Sequence, residues 1–77
     1  MEKDRFLALV KEQMDEPSAI SLDTPFEQLK GWDSLTTMLV LTAIKEQMAV
    51  DLTVQDIKSC KTIEDIYNKT MDAGNAR

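Results

Sequence analysis

The feature that most limits what this chain can become is the apolar run from Leu35 to Met48, entered through the turn Gly31-Trp32-Asp33-Ser34. Val40, Leu41, Ile44 and Met48 form one stripe at helical spacing, while Leu35, Met38 and Leu39 carry apolar character round to another side. A helix of this kind is central to a bundle or leaves apolar surface for a partner, and in a four-helix domain it does both. It is expected to begin at Ser34 or Leu35 and to end near Met48 or Ala49. Ser34 stands where an irregular loop becomes a helix, so its hydroxyl is the helix N-cap, an exposed group for chemistry, or both.

The rest of the chain reads as support for that helix. From Glu2 to about Met14 the residues Phe6, Leu7, Val10 and Met14 mark a first amphipathic helix, which Pro17 ends because it disfavours helical geometry at Glu16 and has no N–H to donate. The connection from Asp15 to Asp33 is long for a compact domain; Ile20, Leu22, Phe26 and Leu29 are expected to pin it to the core. Within it, Thr24-Pro25-Phe26-Glu27 has the form of a capping box with proline at the first helical position, which predicts one helical turn through Leu29. Gly31 then frees the chain to bend. Thr53-Val54-Gln55-Asp56 opens a short helix to about Ser59, and Thr62-Ile63-Glu64-Asp65 opens another to about Met71, with residues 73–77 a frayed tail.

Seventy-seven residues make one domain, 1–77, without internal repeats. Fourteen acidic against nine basic residues leave a net charge of −5, which repels phosphate backbones and anionic lipid and argues against nucleic acid or a membrane surface as partner. No apolar run approaches the roughly 20 residues of a membrane span, and Met1-Glu2-Lys3-Asp4 lacks the pattern of a signal peptide; the expected location is the cytoplasm. The single cysteine, Cys60, can form no internal disulfide, and its spacing from Ile57 and Ile63 suits a small core residue. The chain has no histidine, which removes the usual general base, the usual metal ligand and every Ser-His-Asp or Cys-His arrangement. We therefore expect no catalytic residues, no metal site and no enzymatic activity.

Taken together, these segments resemble acyl carrier proteins and the related peptidyl and aminoacyl carrier domains. The resemblance runs from the first helix through Leu29, Gly31-Trp32-Asp33-Ser34-Leu35 and the second helix to Thr62-Ile63-Glu64-Asp65-Ile66. It implies an all-α four-helix bundle of acyl-carrier type, with a long loop between the first and second helices and a short third helix. It also implies that Ser34 is the attachment point for 4′-phosphopantetheine from coenzyme A, whose terminal thiol carries an acyl or aminoacyl group as a thioester. A phosphodiester there would place negative charge at a helix N-terminus, where free N–H groups favour it. By the same resemblance Asp33 lies beside the magnesium and basic residues of the transferase, and Leu35 is the leucine that partner enzymes contact. As a solvated turn residue, Asp33 is expected to contribute little to packing.

The partners implied are a phosphopantetheinyl transferase and the ligases, synthases or transferases that load and unload the arm in fatty acid, polyketide or nonribosomal peptide biosynthesis, with the carrier itself a monomer. Two departures bear on them. Where fatty-acid carriers bear acids along the second helix, this chain has Thr36, Leu39 and Lys45, with only Glu46 retained. Recognition through Trp32, Leu35, Thr36, Leu39 and Glu46 is thus expected to lean on apolar contact. Trp32 itself, more like stand-alone carriers of specialised pathways, either anchors a partner or covers the end of the bundle. The other function class left open is an unmodified helical adaptor that docks a partner through the apolar second helix, with Ser34 a plain cap.

Overall fold

The structure, a computed structural model, describes residues 2–14, 20–29 and 31–75. The described residues form four helices, α1 (Glu2–Glu12), α2 (Ser34–Met48), α3 (Val54–Lys58) and α4 (Ile63–Asn75), with one 3-10 turn, Phe26–Gln28, between α1 and α2. Among the described residues the only pairing of β type is an isolated bridge between Pro25 and Thr62. The all-α four-helix arrangement read from the sequence is therefore the fold, with Pro17 and its neighbours outside the described residues.

α1 buries Phe6, Leu9 and Val10. The i, i+3, i+4 face omits Leu7 and adds Leu9, because Leu7 lies about 100° round the helix from Phe6. Leu7 and Met14 are only partly buried, and the helix ends at Glu12, before Met14. The Phe6 ring meets Tyr67 of α4 edge-on at 5.5 Å, and Lys3 pairs with Glu64 at 2.9 Å.

α2 buries Thr36, Val40, Ala43 and Ile44, while Leu41 and Met48 are partly covered. With three threonines and β-branched Val40 and Ile44 in its length, this helix has modest intrinsic propensity and depends on its packed face. Fully buried Val40 and Ile44 each contribute about 1.5–3 kcal/mol of transfer free energy. The helix stops at Ala49: its N–H closes the last turn on the Lys45 carbonyl at 3.1 Å, and its left-handed φ of 57° turns the following chain out of the helix.

Both later capping boxes form as their sequences predict. Asp56 accepts the Thr53 N–H at 2.9 Å while Thr53 Oγ1 accepts the Asp56 N–H at 3.2 Å; Thr62 and Asp65 repeat the exchange at 3.1 and 3.2 Å. α4 continues to Asn75, past the expected end at Met71 and into the stretch expected to fray, and Gly74 lies within it. Buried Thr70 fits inside this helix because its hydroxyl donates to the Ile66 carbonyl at 2.8 Å.

The box expected at Thr24 does not form. Pro25 takes the cap position of the 3-10 turn without a side-chain bond, and Thr24 Oγ1 instead accepts the Ser21 N–H at 2.9 Å. The reason is local: the Thr24 N–H, which Glu27 would have satisfied in the box, donates instead to the Ser21 carbonyl at 3.2 Å, while the Phe26 N–H donates to the Lys61 carbonyl of the α3–α4 connection, also at 3.2 Å. A second strut, from the Glu64 N–H to the Leu22 carbonyl at 2.8 Å, ties the same loop to the start of α4. Ile20 and Phe26 are buried, and Leu22 and Leu29 pack against the core, so the long connection is held down by the residues expected to hold it.

Candidate functional site

The loop delivers the chain to α2 through three consecutive constraints. Gly31 adopts φ +94°, a region that L side chains rarely enter, and its carbonyl accepts the Thr36 hydroxyl at 3.1 Å. Trp32 follows, half-buried, its ring 4.8 Å from that of Phe26 and its indole N–H donating to Thr37 Oγ1 at 3.1 Å. Trp32 thus covers the end of the bundle. Asp33 then takes extended geometry and caps α2, its Oδ1 accepting the Thr36 N–H at 2.9 Å and the Thr36 hydroxyl at 3.2 Å. The Thr36 amide bond above all, with its hydroxyl second, holds the Asp33 carboxyl below the usual carboxylate range.

Two sequence expectations are corrected here. The N-cap is Asp33 and not Ser34, because the residue one step earlier has both the non-helical backbone and the side-chain oxygen in reach of Thr36. Asp33 is exposed, as expected of a residue that adds little to packing, but its bond to the Thr36 N–H makes it the cap of α2, a structural task the sequence reading did not give it. Ser34 is relieved of capping: it is the first residue of α2, exposed, and its hydroxyl makes no hydrogen bond among the described residues. Removal of the capping task leaves that oxygen available at a helix N-terminus, where an anion is favoured.

Beside Ser34 lies an open groove of about 370 Å³. Trp32, Asp33, Ser34, Thr37 and Met38 line one side, Val54, Ile57 and Lys58 of α3 the other, and Phe26 and Glu27 the remainder. Its walls mix aromatic and aliphatic surface with a few polar groups, and Ser34 is among them. An extended chain attached to Ser34 fits such a trough; a substrate to be enclosed away from water does not. The groove residues on α3 had no sequence signal of their own beyond an apolar position and a basic one, because which side of a five-residue helix faces α2 is decided by packing.

The apolar character of α2 on its second side is solvent-facing. Leu35 is 66% exposed, Met38 52% and Leu39 41%, with Val54 of α3 at 37%. Lys45 and Glu46 follow, both exposed. Thr36 does not belong with them: it is 6% exposed and spent on Gly31 and Asp33, so it is no partner contact. Nor is Met38 part of the interior. Cys60 is buried as expected, 8% exposed, and burial pushes its thiol pKa up. Among the described residues no three His, Cys, Asp or Glu side chains are grouped to hold a metal ion.

Comparison with known proteins agrees with this geometry. The model of the family described as Phosphopantetheine attachment site matches residues 4–69. Acyl carrier proteins from two strains of Treponema pallidum, one of them strain Nichols, are each 34% identical over 64 residues, covering 82% of this chain and 82% of the relative. No solved structure matches.

Proposed function

The chain belongs to the phosphopantetheine attachment-site family, an acyl carrier of all-α fold that bears 4′-phosphopantetheine, and we propose that Ser34 is the residue that carries the arm. One observation supports this above the rest: capping by Asp33 leaves Ser34 exposed and its Oγ unbonded, among the described residues, beside the α2–α3 groove that it helps line. When bound, the arm supplies a thiol that holds acyl groups as thioesters. The protein's own residues do the rest. Ser34 contributes the ester oxygen, the α2 N-terminus favours the phosphodiester charge, and the groove gives the first part of the arm a surface to lie on.

Asp33 serves twice in this reading. Its Oδ1 closes the first turn of α2, and its exposed carboxylate, held in the ionised form by the Thr36 bonds, would lie beside the transferase's magnesium and basic residues during modification. As a member of a carrier family the protein meets a phosphopantetheinyl transferase and acyl-handling enzymes. We propose that these partners, including loading ligases and synthases, dock on Leu35, Met38 and Leu39, with the exposed edge of Trp32 and with Glu46 at the rim, and that the carrier acts as a monomeric single domain over residues 1–77 without catalysing a reaction itself. Among the described residues no helix is long and apolar enough to cross a membrane. We place the protein in the cytoplasm, with the coenzyme A from which the arm comes. Nothing in the comparisons favours the unmodified adaptor.

The test is intact mass after the apo protein is incubated with coenzyme A, magnesium and a broad-specificity transferase. The wild type gains one phosphopantetheine and Ser34→Ala gains none. A wild type that stays unmodified, or a Ser34→Ala variant modified as readily, removes Ser34 from the site.

A further inference from the structure

The groove beside Ser34 has an uneven charge lining. Glu27 and Asp33 are its carboxylates and Lys58 its single cation among the described residues. A phosphodiester on Ser34 adds another negative charge to that lining. Asp33 cannot serve as a counter-charge, and its Oδ1 is already committed to Thr36. The α2 N-terminus favours the new anion, but one backbone N–H of its first turn, that of Thr36, is taken by Asp33.

Among the described residues that line the groove, Lys58 is the group with the right sign. It is exposed, lies in the last turn of α3, and lines the wall of the groove across from Ser34. The ion pairs found among the described residues, Lys3 with Glu64 and Lys69 with Asp56, do not use it. Its ammonium swings on a four-carbon stem and offers three donors, which suits an anion whose oxygens turn with a flexible arm.

We infer that Lys58 is a positioning residue for the arm: its ammonium pairs with the Ser34-linked phosphodiester across the α2–α3 groove and biases the arm to lie along that groove. The inference rests on Ser34 as the attachment site. The pair is solvent-exposed, so it sets a population and does not lock a conformation; its loss lowers the docked fraction about two- to fivefold, and added salt does the same in the wild type.

The experiment uses the full-length arm-bearing protein. Intact mass first confirms that the arm is on Ser34. Proton NMR then looks for cross-peaks between the Lys58 side chain and the arm's methylene next to the phosphate, and ³¹P relaxation reports how tightly the phosphodiester is held. Wild type is expected to show the cross-peaks and slowed phosphorus motion. Lys58→Gln loses both, Lys58→Arg restores the slowed motion, and Lys11→Gln, which removes the same charge from α1, changes neither. Circular dichroism on each variant verifies the fold, and Lys58→Arg supplies the answer should Lys58→Gln be poorly folded. A correctly modified wild type without cross-peaks, or phosphorus motion that is the same in wild type, Lys58→Gln and Lys58→Arg, overturns the role of Lys58 while Ser34 stands. A wild type that accepts no arm overturns both.

Discussion

Asp33 and Thr36 are joined twice through one atom: Asp33 Oδ1 accepts the Thr36 amide at 2.9 Å and the Thr36 hydroxyl at 3.2 Å. The same hydroxyl lies 3.1 Å from the Gly31 carbonyl, so the turn, the cap and the first buried side chain of α2 form one unit around Ser34 while leaving its Oγ unused. Hydrogen bonds tie down the backbone on both sides of Ser34, and the groove beside it is open.

Asp33→Ala is expected to lower the melting temperature by about 4–8 °C, the effect of losing a good N-cap in a domain of this size. Asp33→Asn keeps a capping oxygen and melts close to wild type. Thermal unfolding by circular dichroism separates the two. Modification rates under limiting transferase then isolate the carboxylate: Asp33→Asn, folded, is expected to be modified more slowly than wild type, and equal rates remove the charge from the reaction.

Three aspartates make the protein sensitive to acid. Asp33, Asp56 and Asp65 are each held below the usual carboxylate range, first of all by a backbone N–H bond from Thr36, Thr53 and Thr62 respectively. Near the ordinary aspartate value the unfolded chain binds more protons than the folded one, so this stability is fully present above that value and is lost as pH falls through the lower folded pKa values. The melting temperature should therefore be flat from neutral pH to about 5 and fall below about 4. Asp56→Asn should make the acid limb shallower; an unchanged limb would show that Asp56 is not coupled to folding.

Partner binding is expected to be more sensitive to Leu39 than to Glu46. An apolar side chain buried at a contact contributes about 1.5–3 kcal/mol, an exposed ion pair less than about 1. Since Leu39 is 41% exposed, Leu39→Asp should leave the helical circular dichroism spectrum intact and shorten the residence time on a cognate enzyme. Glu46→Gln should only slow association slightly, and rising salt should weaken binding mildly. Folded Leu39→Asp that binds as wild type does, together with binding abolished by salt or Glu46→Gln, would establish electrostatic recognition instead.

The arm-bearing protein holds two thiols of very different reactivity. Cys60 is buried, and burial pushes its thiol pKa up, whereas the arm's thiol is at the end of a flexible chain. A maleimide reagent near neutral pH should label one thiol quickly under native conditions and a second only after denaturation. Rapid double labelling of the native protein would show that Cys60 is reached by solvent.

Much of this protein was determined by local chemistry and so was legible in the chain. Thr53 with Asp56 and Thr62 with Asp65 close their helix starts within four consecutive residues, and Gly31 meets its positive φ without help from afar. The absence of histidine argued against an enzyme, and the resemblance to carrier proteins, running from the first helix through Asp33-Ser34-Leu35 to Ile66, implied a carrier from sequence alone. What tertiary structure decided were choices among groups with equal local claims. Phe26 lies in a turn of its own, yet its N–H is taken by the Lys61 carbonyl from the α3–α4 connection. Thr36 and Leu39 both occupy positions where related carriers bear acids, yet packing buries the first and exposes the second. Lys58 is an ordinary lysine at the end of a short helix until packing of α3 makes it line the same groove as Ser34. A pattern confined to one turn fixes its own hydrogen bonds, whereas the side of a helix that meets solvent depends on where every other helix comes to rest.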